Sequence, residues 1–262
     1  MAEDTLSERD RAEIERSAEE ARKTILTGTN RSQIDRYLSP PSDTAYVLEY
    51  AFYLLGDIRG KTVLDLGCGT GENIVPLVER GARVIGIDLS PDLIELARLR
   101  LQKAGLEADL RVGSAYDTGF ENESIDIVFC IALIHHLEIA RVRDEMHRIL
   151  TKRGVVILKE PVRFSRTYAF LRGLLPAHED ISEFEHPLTR EELATMTAPF
   201  DVQALRYFRL PWIPLVAKVV PSLEPAVWKA DRWMFRHCDP LKHFATGAVM
   251  RLVKRETSGR VS

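Results

Sequence analysis

The chain has 262 residues, 45% of them hydrophobic and 29% charged, with a formal net charge of −3 at pH 7. This length suits one domain with insertions better than two full domains and can bury a sizeable core. The interspersed charges lack the basic face that general nucleic-acid binding favours, and Cys68, Cys130 and Cys238, with no C-x-x-C pair, fit a reducing cytoplasm better than a disulfide framework or a zinc site.

The N-terminus is charged rather than apolar, and no uninterrupted apolar run reaches about 18 residues, so neither a secretory signal nor a membrane span is expected. Residues 1–30 are rich in Glu and Arg, with apolar positions at Leu6, Ile14, Ile25 and Leu26. They read as a marginal surface helix, either a solvated extension or a lid over a site. From Gln33 to Leu55 the chain turns aromatic, with Tyr37, Tyr46, Tyr50, Phe52 and Tyr53 around a break at Pro40-Pro41. Residues 1–55 are taken as an N-terminal helical extension, with most of these rings as core and Tyr37 as a candidate ligand contact.

Residues 56–161 read as a cofactor-binding core. Apolar runs and their punctuation predict strands at 61–66, 83–88, 108–112, 124–131 and 155–160, with helices at 73–80, 91–104 and 138–150. Such alternation implies a parallel sheet covered on both faces. Pro76 falls in a first helical turn if Asn73 is the cap, Ser90-Pro91 opens the next helix, and Gly81, Gly105 and Gly154 stand where helices should stop. Residues 162–262 hold the rest of the sheet with cap insertions at 162–188 and 211–240. Thr189 and Glu192 form a capping box for a helix at 190–197, 201–210 reads as the sixth strand and 244–254 as the last. The two insertions are expected to roof a substrate pocket, because loops near strand C-termini shape open α/β sites.

The stretch Val-Leu-Asp-Leu-Gly-Cys-Gly-Thr-Gly from Val63 to Gly71 is a buried strand end, a glycine-rich turn and the approach to a helix, which together make a nucleotide-binding corner. In a dinucleotide fingerprint a further glycine would stand where Glu72 does, and Asp65 and Glu72 would repel a pyrophosphate between them. A ligand with an ammonium group suits Asp65 instead. Asp88 ends the next apolar run, where a carboxylate meets the ribose hydroxyls of a bound adenosine. A ribose diol at one end and an amino-acid ammonium at the other describe S-adenosylmethionine.

With "VLDLGCGTG", "GIDLSPDLIELAR", "DIVFCIALIHHL" and "LTKRGVVILKEP" in this order, the chain resembles the class I S-adenosylmethionine-dependent methyltransferases of the small-molecule group, over about Lys61 to Pro161. The resemblance implies a Rossmann-like α/β fold: a seven-stranded, mostly parallel sheet with helices on both faces and an antiparallel last strand at its edge. It places Gly67, Cys68, Gly69 and Gly71 against the cofactor, Asp65 at its ammonium directly or through water, and Asp88 at its ribose. Leu89 would lie against adenine, and the Ile131 carbonyl would face the ammonium. Ser114-Ala115 stands where the family usually has an acidic residue and a small one for the adenine amino group; Asp117 is the charged alternative.

His135 and His136 are placed near the transferred methyl. A neutral imidazole suits proton removal from a phenol, a hydroxyl or an acidic carbon, whereas one of two adjacent histidines usually faces away and serves structure. No metal is expected, because His178 and His186 with Glu183 and Glu185, and His237, Asp239 and His243, match no defined ligand spacing. Trp212, Trp228, Trp233 and Phe235 suggest an apolar pocket wall, a peripheral membrane contact or plain core. The expected function is cytoplasmic methyl transfer to a small, partly apolar acceptor such as a natural-product, quinone or lipid-like intermediate, on oxygen or carbon. The alternative is an S-adenosylmethionine-binding protein with a non-methylating catalytic or regulatory role. Glu72 and Asp65 disfavour nicotinamide chemistry, and the fourth strand lacks the Asn/Asp-Pro-Pro-Tyr element of nucleic-acid amino-group modifiers.

Overall fold

A computed structural model describes residues 30–165, 186–213, 216 and 219–255, with Arg11, Ile14, Glu15 and Ala18 ahead of them. Most of the expected N-terminal lid, and His178, Glu183 and Glu185, lie outside these residues. Helices α1 (Arg31–Leu38) and α2 (Val47–Leu55) come first, α1 capped by the Asn30 side chain. Next alternate β1 (Thr62–Leu66), α3 (Ile74–Glu79), β2 (Arg83–Asp88), α4 (Pro91–Ala104), β3 (Asp109–Val112) and β4 (Ile125–Ile131). A 3-10 turn (Ile134–His136) leads into α5 (Ile139–Ile149) and β5 (Leu150–Pro161), and the described chain closes with α6 (Arg190–Thr197), β6 (Phe200–Phe208), α7 (Glu224–His237) and β7 (Gly247–Lys254). Ser90 caps α4 with Pro91 behind it, Gly105 ends it in the left-handed conformation, and both arms of the Thr189–Glu192 capping box are formed.

The strands make one seven-stranded sheet in the order β3-β2-β1-β4-β5-β7-β6. All pair in parallel except β7, which runs antiparallel to both of its neighbours. Apolar residues facing alternately up and down fill two cores. One packs Leu64, Leu66, Val128 and Leu158 against α5 and α6; the other packs Val63, Phe129 and Ile157 against α1 to α4. Tyr37 belongs to this second core, stacked on Phe52 with centroids 4.6 Å apart.

Three expectations need correction. The last strand is not at the sheet edge: β7 lies between β5 and β6 because Gly-Ala-Val-Met-Arg-Leu-Val-Lys is largely buried on both faces, whereas the polar, exposed β6 tolerates an edge. Gly154 stops no helix. Leu150 is already extended, Arg153 takes the turn at φ 60°, and Gly154 lies inside β5, where a Cβ would stand 2.9 Å from the Thr151 carbonyl oxygen. The segment expected as an insertion at 211–240 contains α7, whose Phe235 is part of the first core.

Candidate active site

The order of successive strands reverses between β1 and β4, and in open α/β sheets ligands bind beyond the strand C-termini at such a point. A cavity opens there. Its walls include Gly67 and Gly69 of the bend, Asp88 and Leu89 beyond β2, and Ser114, Ala115 and Tyr116 beyond β3. Leu133 and His136 close it from the β4 side.

The three glycines of the bend, all at positive φ, serve different needs. A Cβ at Gly67 would lie 2.8 Å from Leu133 Cδ1, whereas one at Gly69 meets nothing within 4 Å, because Gly69 borders the open cavity. Gly71 instead lets the turn close on α4, where a Cβ would stand 3.0 Å from that of Ala97 and 3.3 Å from its Cα. Gly71→Ala combines a left-handed backbone with that clash, and a loss of about 1–3 kcal/mol is expected in denaturant unfolding. Cys68 is buried with its sulfur toward Gly86, so only its main chain belongs to the bend.

Asp65 and Asp88 lie on the same face of the sheet. Asp65 pairs with Gly86, and Asp88 follows Gly86 by one strand period. The Asp88 carboxylate accepts from the Gly69 N–H at 2.9 Å and the Ser90 N–H at 2.9 Å, which pins the bend to the tip of β2. Asp65 is 1% exposed, and neither carboxylate oxygen has a hydrogen-bond partner. Burial, and to a smaller extent the negative charge of Asp88, push it up to about 8. A buried carboxylate without a partner is costly unless a cation completes it. Asp65 does not line the cavity as Asp88 does, yet an orphaned carboxylate two residues before the glycine bend fits the ammonium end of S-adenosylmethionine.

Glu72 does not act as the sequence suggests. Its side chain is exposed and bonded to Arg100 at 3.1 Å, so its charge is compensated outside the cavity. Ser114 and Ala115 are in the wall but Asp117 is not, and the wall beyond β4 starts at Ala132 rather than at Ile131. Ala132 turns at φ 57°, with its N–H donated to the Lys159 carbonyl.

The adjacent histidines part ways. His136 lines the cavity, whereas His135 Nδ1 is 2.8 Å from Glu160 Oε2. Glu160, fully buried at the end of β5, also accepts from the Leu133 and Ile134 N–H groups at 2.9 Å each through Oε1. One carboxylate thus holds the 3-10 turn and orients His135, whose ring lies 4.0 Å from that of His136. Sequence reasoning missed Glu160; its one signal is an acidic residue ending an apolar strand. Tyr116 was also missed: its hydroxyl accepts from the Glu138 N–H at 2.8 Å and its ring lies under Arg141. Among the described residues no group of three or more His, Cys, Asp or Glu is arranged to hold a metal, and no helix is long and apolar enough to cross a membrane.

Residues 64–158 match the family model described as "Methyltransferase domain". These residues, which carry the glycine bend and the strands around the cavity, are thus similar to a methyltransferase domain. The chain is similar to the ubiquinone biosynthesis O-methyltransferase of Stutzerimonas stutzeri (strain A1501), at 34% identity over 115 residues, 43% of this chain and 50% of that protein. It is also similar to the enzyme of that name from Xanthomonas euvesicatoria pv. vesicatoria (strain 85-10), at 38% identity over 91 residues, 34% of this chain and 38% of the relative. The chain thus spans half or less of the length of these curated relatives. Among solved structures, geranyl diphosphate C-methyltransferase from Streptomyces coelicolor A3(2), with S-adenosyl-L-homocysteine, superposes with TM-score 0.62 at 16% identity, over 95% of this chain and 99% of that one. The [4+2]-cyclase SpnF superposes with TM-score 0.56 at 17% identity, over 78% and 79%. At such identities these two likenesses show the fold of the methyltransferase domain.

Proposed function

We propose that this protein transfers a methyl group from S-adenosylmethionine to a small, partly apolar acceptor, on oxygen or carbon. The observation that carries the reading is the buried, unbonded carboxylate of Asp65 beside Asp88 across the glycine bend. Residues 56–161 are assigned to the cofactor, and the elements before and after them to the acceptor. Asp65 would pair with the cofactor ammonium and Asp88 with its ribose hydroxyls, while Leu89, Ser114, Ala115 and Tyr116 would border the adenine. When bound, the cofactor supplies a methyl group on a positively charged sulfur, so positioning contributes much of the rate. His135 Nδ1 lies 2.8 Å from Glu160 Oε2, and with Nδ1 donating to that carboxylate Nε2 would be left to take a proton from the acceptor molecule. His136 shapes the wall beside it.

The names of the curated relatives favour a phenolic hydroxyl of a quinone precursor as the methylated group, and the geranyl diphosphate C-methyltransferase extends the choice to an alkene carbon. Buried Cys68 and Cys130 as free thiols support a cytoplasmic protein. Incubation with S-adenosylmethionine and a panel of catechols, quinol precursors and prenyl diphosphates should release S-adenosylhomocysteine and add one methyl group to at least one member. Acceptor conversion without S-adenosylhomocysteine would assign a non-methylating catalyst of this fold instead. Asp88→Ala, which loses the ribose partner and frees the bend, should weaken cofactor binding about tenfold or more by calorimetry.

A further inference from the structure

Between the outer edge of β6 and α7 lies a second cavity of about 370 Å³, lined by Leu205, Tyr207, Phe208 and Phe235 together with Arg206, Arg232, Arg236 and Lys242. Half of its wall is cationic, and no carboxylate lines it. Arg206 and Arg232 each donate to the same acceptor, the Thr44 carbonyl, at 3.2 Å. Among the described residues no carboxylate is bonded to Arg206, Arg232 or Arg236, while Lys242 pairs with Asp239 at 2.6 Å on the exposed side. Asp43 and Glu49 line the adjoining cavity that shares Arg232 and Arg236, and Glu49 already faces Arg36 at 3.6 Å.

Like charges gathered this closely repel one another. Desolvation first and Arg232 second bring Arg206 down to about 10, against the opposing pulls of Tyr50 and then Asp43. Guanidinium groups converging without carboxylates are suited to the planar or tetrahedral oxygens of a carboxylate or phosphate. The remaining wall, with its three aromatic rings, suits an apolar body next to that charge.

The cavity lies on the same sheet as the active site, with β7 and β5 between β6 and β4. Arg206 pairs with Val249 and Val249 with Lys159, so the two cations flank Val249 on one face of the sheet at its C-terminal end. Lys159 adjoins Ile131 of β4 and carries the carbonyl that receives the Ala132 N–H. Two cations, Lys159 on β5 and Arg206 on the outer strand β6, thus share that face with buried Val249 between them.

We propose that the cavity between β6 and α7 binds the anionic end, a phosphate or carboxylate, of an acceptor whose apolar body reaches toward the cofactor. The proposal rests on the methyltransferase reading above and names the chemistry of its substrate. Titration of pyrophosphate into the full chain saturated with S-adenosylhomocysteine should show one site. Arg206→Gln combined with Arg232→Gln should weaken it about tenfold or more while changing S-adenosylhomocysteine affinity less than about twofold. If that double variant does not fold, Arg236→Gln on the exposed side of α7 should still weaken pyrophosphate about threefold or more.

Unchanged affinity in the variants, competition between pyrophosphate and S-adenosylhomocysteine, or binding to phosphatidylglycerol vesicles without binding of free pyrophosphate would each overturn the proposal. A wild type that fails to bind S-adenosylhomocysteine at all would strike the methyltransferase reading first, and the subsite proposal with it. The two failures are thus told apart in the same titrations.

Discussion

Replacing Asp65 by Asn is expected to stabilise the ligand-free protein and at the same time to abolish most cofactor binding. A carboxyl held at about 8, above its ordinary 3.8, binds its proton more tightly in the folded chain than in the unfolded one. The stability tied to that proton is fully present below the ordinary value and is lost as pH rises toward 8, by at most about 1.4 kcal/mol per pH unit in that window. The wild-type protein without ligand should therefore melt at lower temperature at pH 8 than at pH 5, and S-adenosylmethionine should recover much of the difference. Asn carries no charge to desolvate, so Asp65→Asn should flatten the profile and raise the melting temperature at pH 8 by about 5–10 °C. It also lacks the charge for the ammonium, and removing one partner of a buried pair costs about 3–5 kcal/mol, so calorimetry should show affinity falling about a hundredfold or more. Cofactor affinity within twofold of wild type would remove Asp65 from the binding site.

Glu160→Gln is expected to lower turnover about a hundredfold or more while leaving cofactor affinity within about threefold. The amide oxygen can still accept from the Leu133 and Ile134 N–H groups, as Oε1 of Glu160 does at 2.9 Å, so the turn keeps its place. The amide nitrogen, however, can only donate toward His135 Nδ1, which forces the imidazole proton onto Nε2 and removes the acceptor that a base requires. A structural role alone would leave the pH profile of turnover intact in this variant. A catalytic dyad predicts loss of its acidic limb together with the fall in kcat. Glu160→Ala should be worse in a second way, since it leaves two buried N–H groups without partners, at a cost of about 1–3 kcal/mol each.

Local order of residues was enough to read the cofactor half. Apolar runs bounded by Gly, Pro and capping residues set β2 and α4 at their observed limits, since strand and helix periods and caps are properties of neighbours in the chain. Val63 to Gly71 and Asp88 could be paired across the bend for the same reason: a parallel strand pair and a tight turn leave few ways to place them. The polar pattern of β6 and the doubly apolar pattern of β7 also held their true order in the sheet, but a family expectation of an edge strand masked it.

What depended on tertiary structure was the company each charged group keeps. Asp65 lost every partner and Glu72 acquired Arg100; His135 was given to Glu160, and Arg206 and Arg232 were brought to one carbonyl although they stand far apart in sequence. Strand spacing and helix caps are set within about a dozen residues, whereas the energy of a charge depends on the burial and neighbours that only the packed sheet and its covering helices supply. The amino-acid order alone therefore determined the glycine corner between β1 and β2, and folding decided which carboxylate is buried without a partner, which histidine meets Glu160 and which cations gather beside β6.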